Sequence, residues 1–197
     1  MNLILASGSP RRRELLSRLG MPFEVVQSGI PEELRPDEDP EAACRRLAAH
    51  KADAISRLHP QDLVVGADTL VVLDDQVLGK PADLAEARRM LELLSDRTHL
   101  VLTAVSLVCQ ARRHRSGILV TTAVTFHRLD AMDITYYLKV APPLDKAGAY
   151  GIQDWSGVFV SSISGCYHNV MGFPLAQFYR HLKACGLLSE LQSRNNL

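Results

Sequence analysis

Apolar positions along the chain fall into short blocks with two distinct periods. Asn2 to Ala6 is a compact apolar run and reads as a buried strand. Ser9 and Pro10 follow it as N-cap and first helical residue, Leu15, Leu16 and Leu19 recur at helical spacing, and Gly20 ends the helix. Phe23 to Gln27 predicts a second strand, and a polar connection from Pro31 to Pro40 leads into a helix running to about Arg57. Its inner face carries Ala43, Leu47, Ala48 and Ala54. Leu63 to Val72 is strongly strand-like, Asp74-Asp75 makes a turn, and a short strand follows around Val77-Leu78.

A helix from about Asp83 to Leu94 comes next, opened by acidic residues. Leu100 to Val108 is apolar on both faces, as a central strand must be. In Ile118 to Phe126, Ile118, Val120, Val124 and Phe126 share one face, the alternation of a half-covered strand. These two segments predict a hairpin with Arg112-Arg113-His114-Arg115 at its tip. Asp130 caps a helix to Lys139, and a loop rich in proline, glycine and aromatics runs from Ala141 to Gly157. Val158 to Ile163 reads as a last strand, Pro174 to Leu188 as a C-terminal helix, and residues 193 to 196 as a frayed tail. The expected fold is α/β, a mixed twisted sheet with flanking helices, in one domain over residues 1–197 with no separable linker.

Composition narrows the function classes. The 197 residues carry 22 basic and 22 acidic side chains, which argues against a nucleic-acid surface and against an acidic tail. A hydrophobic fraction of 47% suits a packed core. No run is long enough to span a membrane, and the MNLILASGSPRRR start lacks the order of a signal peptide. Four cysteines without CxxC spacing read as thiols of a cytoplasmic protein. The histidines form no HExxH or HxxxH pattern, so a zinc site is unsupported. Neither Ser7 nor Ser9 sits in a GxSxG setting.

Several segments can carry chemistry. SGSPRRR leads a strand into a helix, where unpaired N–H groups and small residues suit an anion and Arg11 and Arg12 can grip phosphate. A capped surface helix with solvated arginines is the plainer reading. Asp68 lies in the apolar run Gly66-Ala67-Asp68-Thr69, where a charge must be paired, metal-bound or functional. A structural aspartate bonded to turn amides fits as well. Glu32 or Glu33 with Asp68 can offer hard oxygen ligands to Mg²⁺. Lys51 and Lys80, taken singly, read as solvated lysines, and the Arg112 to Arg115 cluster as a solvated tip. In Asp145 to Gln153 the glycines permit close approach and Gln153 offers both a donor and an acceptor.

Five segments in order, ASGSPRRRELL, GADTLVVLDDQVLGKP, LSDRTHLVLTAV, DKAGAYGIQ and GCYHNVMGFPL, resemble the Maf family of nucleoside triphosphate pyrophosphatases. The arginine pair and the glutamine of GIQ resemble its dTTP/UTP branch. The resemblance implies hydrolysis of a triphosphate to monophosphate and pyrophosphate with a divalent cation, Mg²⁺ or Mn²⁺. It implies two lobes around a deep cleft and suggests a homodimer. Residue by residue, Asp68 matches the catalytic acid, as general base or metal-organising carboxylate, and Glu32 its acidic partner, the two together holding the metal. Ser7, Ser9, Arg12, Lys51 and Lys80 match positions around the triphosphate, and Arg11, Thr69 and Gln153 those tied to base choice. Two departures stand out: Pro31 replaces a common acidic residue, and Asp154-Trp155 follow Gln153 where a glycine is usual. Rival readings are the same chemistry on 7-methyl-GTP or a modified pyrimidine triphosphate, and a nucleotide-binding regulator of septum formation.

Overall fold

A computed structural model describes residues 1–192. It contains seven strands: β1 Leu3–Leu5, β2 Glu24–Val25, β3 Leu63–Leu73, β4 Gln76–Leu78, β5 Thr98–Cys109, β6 His114–Phe126 and β7 Val160–Ser164. The helices are α1 Pro10–Ser17, α2 Pro40–Leu58, α3 Leu84–Leu94, α4 Ala131–Val140, α5 Tyr167–Val170, α6 Leu175–Ala184 and α7 Leu188–Gln192. All seven strands belong to one sheet of order β2-β1-β3-β5-β6-β7, with β4 paired to β3. It is mixed: β1 runs parallel to β2 and β3, whereas the β3–β4 and β6–β7 pairs are antiparallel.

Two compact units divide the chain. Among the described residues, unit 1 comprises 1–68, 103–120 and 172–192, and unit 2 comprises 69–102 and 121–171. The core of unit 1 includes Ile4, Ala6, Ala52, Ile55, Val64 and Val108. In unit 2, α3 packs on α4 over a core containing Val71, Leu91, Phe126, Tyr137 and Phe159.

Local chemistry accounts for the element boundaries. Side chains of Ser9, Asp39, Asp83 and Asp130 each accept from a backbone N–H of the helix they open. Asp74 and Asp75 both have positive φ, 48° and 65°, as the tight turn of the β3–β4 hairpin requires. β3 is almost wholly buried and β6 is half covered, in line with the apolar patterns.

Some expectations need correction. The C-terminal segment is two helices, because Gly186 adopts φ +70° and ends the first run. The last strand begins at Val160, since Trp155–Phe159 coil into a 3-10 turn, and a further 3-10 turn spans Ala147–Ala149. β2 keeps only two paired residues. On α2, Ala54 is only half-buried, and Ala52 and Ile55 take the inner face. The hairpin tip is not simply solvated: Arg112 pairs with Glu190 at 2.5 Å and Arg115 with Asp53 at 2.5 Å. Among the described residues, no helix is long and apolar enough to cross a membrane.

Candidate active site

In unit 1 the charged residues singled out above converge around the end of its share of β3. Asp68 is 4% exposed, so its carboxylate needs a partner. Lys51 supplies it. The Lys51 ammonium donates to Asp68 Oδ1 at 2.5 Å and to Glu32 Oε1 at 2.6 Å. Expected as a solvated lysine, Lys51 is 4% exposed, because it lies on the buried stripe of α2 with Cys44, Leu47, Ala48 and Ile55. Its position four residues after Leu47 and three after Ala48 was the available signal.

Two further groups support this trio. Cys44, one α2 turn-pair before Lys51, donates its thiol to the Asp68 carbonyl at 3.5 Å. Burial pushes the Cys44 thiol up to about 12, so it stays protonated and acts as a donor. Arg46 forks onto Glu38 at 2.7 and 2.5 Å and reaches the Glu33 carbonyl at 3.1 Å, which ties down the polar connection carrying exposed Glu32. Neither role shows in local sequence, because each depends on a partner brought in by folding.

The start of α1 forms the other side. Ser9 caps the helix, and Ser7, 6% exposed, accepts from Ser9 N and Arg12 Nη1 at 3.3 Å each. Arg12 Nε donates to the Gly172 carbonyl at 2.9 Å. Burial lowers the Arg12 pKa, and the nearby Asp68 and Glu32 charges oppose that shift. Arg11 is half-buried and Arg13 exposed. Ser7, Gly8, Ser9 and Pro10 also line a groove of about 560 Å³ with Arg13, Gln27 and Val25.

Unit 2 holds the remaining candidates. Thr69 follows Asp68 on β3 and is half-buried; Lys80 is exposed after β4. Gly148 N donates to the Gly79 carbonyl at 3.0 Å, joining the Lys80 turn to the loop that bears Gln153. Gln153 is half-buried, and its Oε1 is buried without a hydrogen-bond partner. Trp155 stacks on Tyr137, ring centroids 5.6 Å apart, and also meets Tyr136 and Phe159. Beneath the loop His99 Nε2 meets the Tyr150 hydroxyl at 2.8 Å, both residues buried. This pair escaped the sequence reading because 51 residues separate its members.

Among the described residues, no three His, Cys, Asp or Glu side chains gather to hold a metal ion. Asp68 and Glu32 remain, both bearing on Lys51, and this hard-oxygen pair fits an ion such as Mg²⁺ that draws its other ligands from phosphate and water.

The family model described as Maf-like protein matches residues 2–185. A dTTP/UTP pyrophosphatase of Salmonella typhimurium is 49% identical over 195 residues, 98% of each chain. Proteins of the same name from Syntrophus aciditrophicus and Bacillus cytotoxicus are 44% and 45% identical. They cover 95% and 91% of this chain and 91% and 93% of their own. A solved HAM1 protein from Coxiella burnetii overlaps at a TM-score of 0.45 and 16% identity, covering 66% of this chain and 74% of that one. The match runs from β1 to the end of α6, and the relatives align along nearly their full length: this chain belongs to the Maf-like family.

Proposed function

We propose that the chain is a nucleoside triphosphate pyrophosphatase that hydrolyses dTTP and UTP to the monophosphate and pyrophosphate with the aid of a divalent cation. The observation that carries this reading is the buried Lys51 ammonium held by Asp68 and Glu32. Two carboxylates and two cations, Lys51 and Arg12, suit an anhydride that must lose an anionic leaving group. The names borne by relatives at 44 to 49% identity support the same substrates.

In this reading Ser7, Ser9, Arg12, Lys51 and Lys80 bind the triphosphate, and α1 directs backbone N–H groups toward it. Asp68 accepts the proton of the attacking water. The water oxygen ends on one phosphoryl group while the bridging oxygen departs with the other, giving monophosphate and pyrophosphate. A divalent cation, held by Asp68 and Glu32, supplies Lewis-acid neutralisation of phosphate charge when bound. Arg11, Thr69 and Gln153 read the base. Uracil and thymine present two acceptors around the N3–H, which Gln153 and a donor such as Arg11 match.

A panel of nucleoside triphosphates with Mg²⁺ or Mn²⁺, assayed for pyrophosphate release, tests the proposal. The expected result is rapid release from dTTP and UTP, slow release from CTP, and loss of at least about a hundredfold in kcat for Asp68→Asn. Wild-type turnover in Asp68→Asn removes that residue from the chemistry, and inertness toward every triphosphate removes the activity.

A further inference from the structure

Three side chains of unit 2 converge over the α-carbon of Gly151. A Cβ at this position would lie 2.8 Å from Asp154 Oδ2, 2.9 Å from Gln153 Nε2 and 3.1 Å from Lys146 Cε. The glycine therefore clears the space in which the three meet. Lys146, its side chain 14% exposed, donates to Asp145 Oδ1 at 2.8 Å and faces Asp154 Oδ2 at 3.5 Å. The loop around them is tightly tied. Asp154 N donates to the Gly151 carbonyl at 2.9 Å, and the buried Ser156 hydroxyl bonds both N–H and C=O of Gly151 at 3.0 Å. The other end of the Gln153 amide, Oε1, is buried without a hydrogen-bond partner.

We infer that Asp154, held by Lys146, is a positioning residue that fixes which way the Gln153 amide faces, and so sets the preference for bases bearing an N3–H. This rests on the pyrophosphatase reading above. A primary amide has two orientations of nearly equal shape, and only its electrostatic surroundings choose between them. A carboxylate attracts the amino end and repels the carbonyl end. Asp154 Oδ2 and Gln153 Nε2 lie 2.8 and 2.9 Å from that one point, and Nε2 rather than Oε1 is the end of the amide nearest it, so the amino end is the one turned toward the space the carboxylate enters. Oε1 is then the atom turned away, an acceptor awaiting a donor. Uracil and thymine bring one at N3. Cytosine brings a lone pair there, which an acceptor opposes. Lys146 holds the Asp154 carboxylate at its post.

The test compares kcat/KM for UTP and CTP in the wild type, Asp154→Asn, Asp154→Glu, Lys146→Met and Gln153→Ala. A neutral amide at 154 no longer chooses an orientation, so the UTP-to-CTP ratio should fall about tenfold in Asp154→Asn, the size of one mispaired buried polar group. Lys146→Met should move it the same way, Asp154→Glu should restore it, and Asp154→Asn should melt at the wild-type temperature. A merely structural role would lower both substrates together and leave the ratio fixed. A wild type selective for UTP whose selectivity survives Asp154→Asn overturns this inference alone. A wild type that releases pyrophosphate from neither nucleotide overturns the activity beneath it, and the inference with it.

Discussion

The Lys51 ammonium and the Asp68 carboxylate meet at 2.5 Å with both side chains about 5% exposed. An ion pair so deeply buried costs much desolvation to form, yet removing one partner costs more, since the other is left charged and alone. Lys51→Met should therefore destabilise the protein by about 3–5 kcal/mol in urea titration. Asp68→Asn should cost less, because Lys51 keeps Glu32 and the new amide oxygen still accepts. A double variant, Lys51→Met with Asp68→Asn, should regain part of the loss. Equal midpoints for Lys51→Met and the wild type would show the pair contributes nothing to stability.

Arg12 is fixed from within unit 1 by the Gly172 carbonyl and the Ser7 hydroxyl, which use two of the five N–H donors of a guanidinium. Its proposed target, phosphate, is common to all substrates. Arg12→Ala should lower kcat/KM by about a hundredfold and by the same factor for UTP, dTTP and CTP. A change in base ranking without a common loss would reassign the residue.

His99 gives unit 2 a pH dependence of known sign. Burial lowers its pKa to about 4, against about 6.5 in an unfolded chain. Below pH 6.5 the unfolded state takes up a proton that the native state refuses. The His99 contribution is thus intact at neutral pH and is lost as the pH falls from 6.5 toward 4, by on the order of 3 kcal/mol in all. Its partner Tyr150 is held neutral by the same burial, its pKa raised, so it adds nothing in that window. Urea midpoints at pH 7.5 and 5.0 should differ less in His99→Gln than in the wild type. An unchanged difference would remove His99 as a source of acid lability.

These relationships mark where sequence reading stops. The sheet and long helices were legible because period and cap chemistry are local: Ser9 opens α1 and Asp130 opens α4 as expected. The Ala147–Ala149 and Trp155–Phe159 turns and helix α5 were not, being too short to display a period. Within the site, Asp68 stood out as an acid in an apolar run, whereas Lys51 was masked by the ordinary habit of lysine to sit in water. Arg46, His99 and the Lys146–Asp154 contact depend on partners that only the folded chain supplies. Trp155, part of the departure that follows Gln153, stacks on Tyr137, a partner that the sequence pattern did not show.

Gly66, two residues before Asp68, sets how closely α2 can approach β3, and with it the reach of Lys51. A Cβ there would collide with the Ala48 carbonyl oxygen and lie 2.6 Å from Ala52 N and 3.0 Å from Ala52 Cβ. The obstacles are mainly helix backbone, which cannot rotate aside as a side chain would. Gly66→Ala must push α2 outward across the turns flanking Lys51, which lies between Ala48 and Ala52. The expected cost is about 1–3 kcal/mol or more from overpacking, accompanied by loss of the Lys51–Asp68 contact and of turnover. Gly79→Ala is the matched control, since a Cβ there meets nothing within 4 Å. A Gly66→Ala variant with wild-type stability and kcat would show that the helix yields freely, and that its close seat on β3 does not hold the lysine in place.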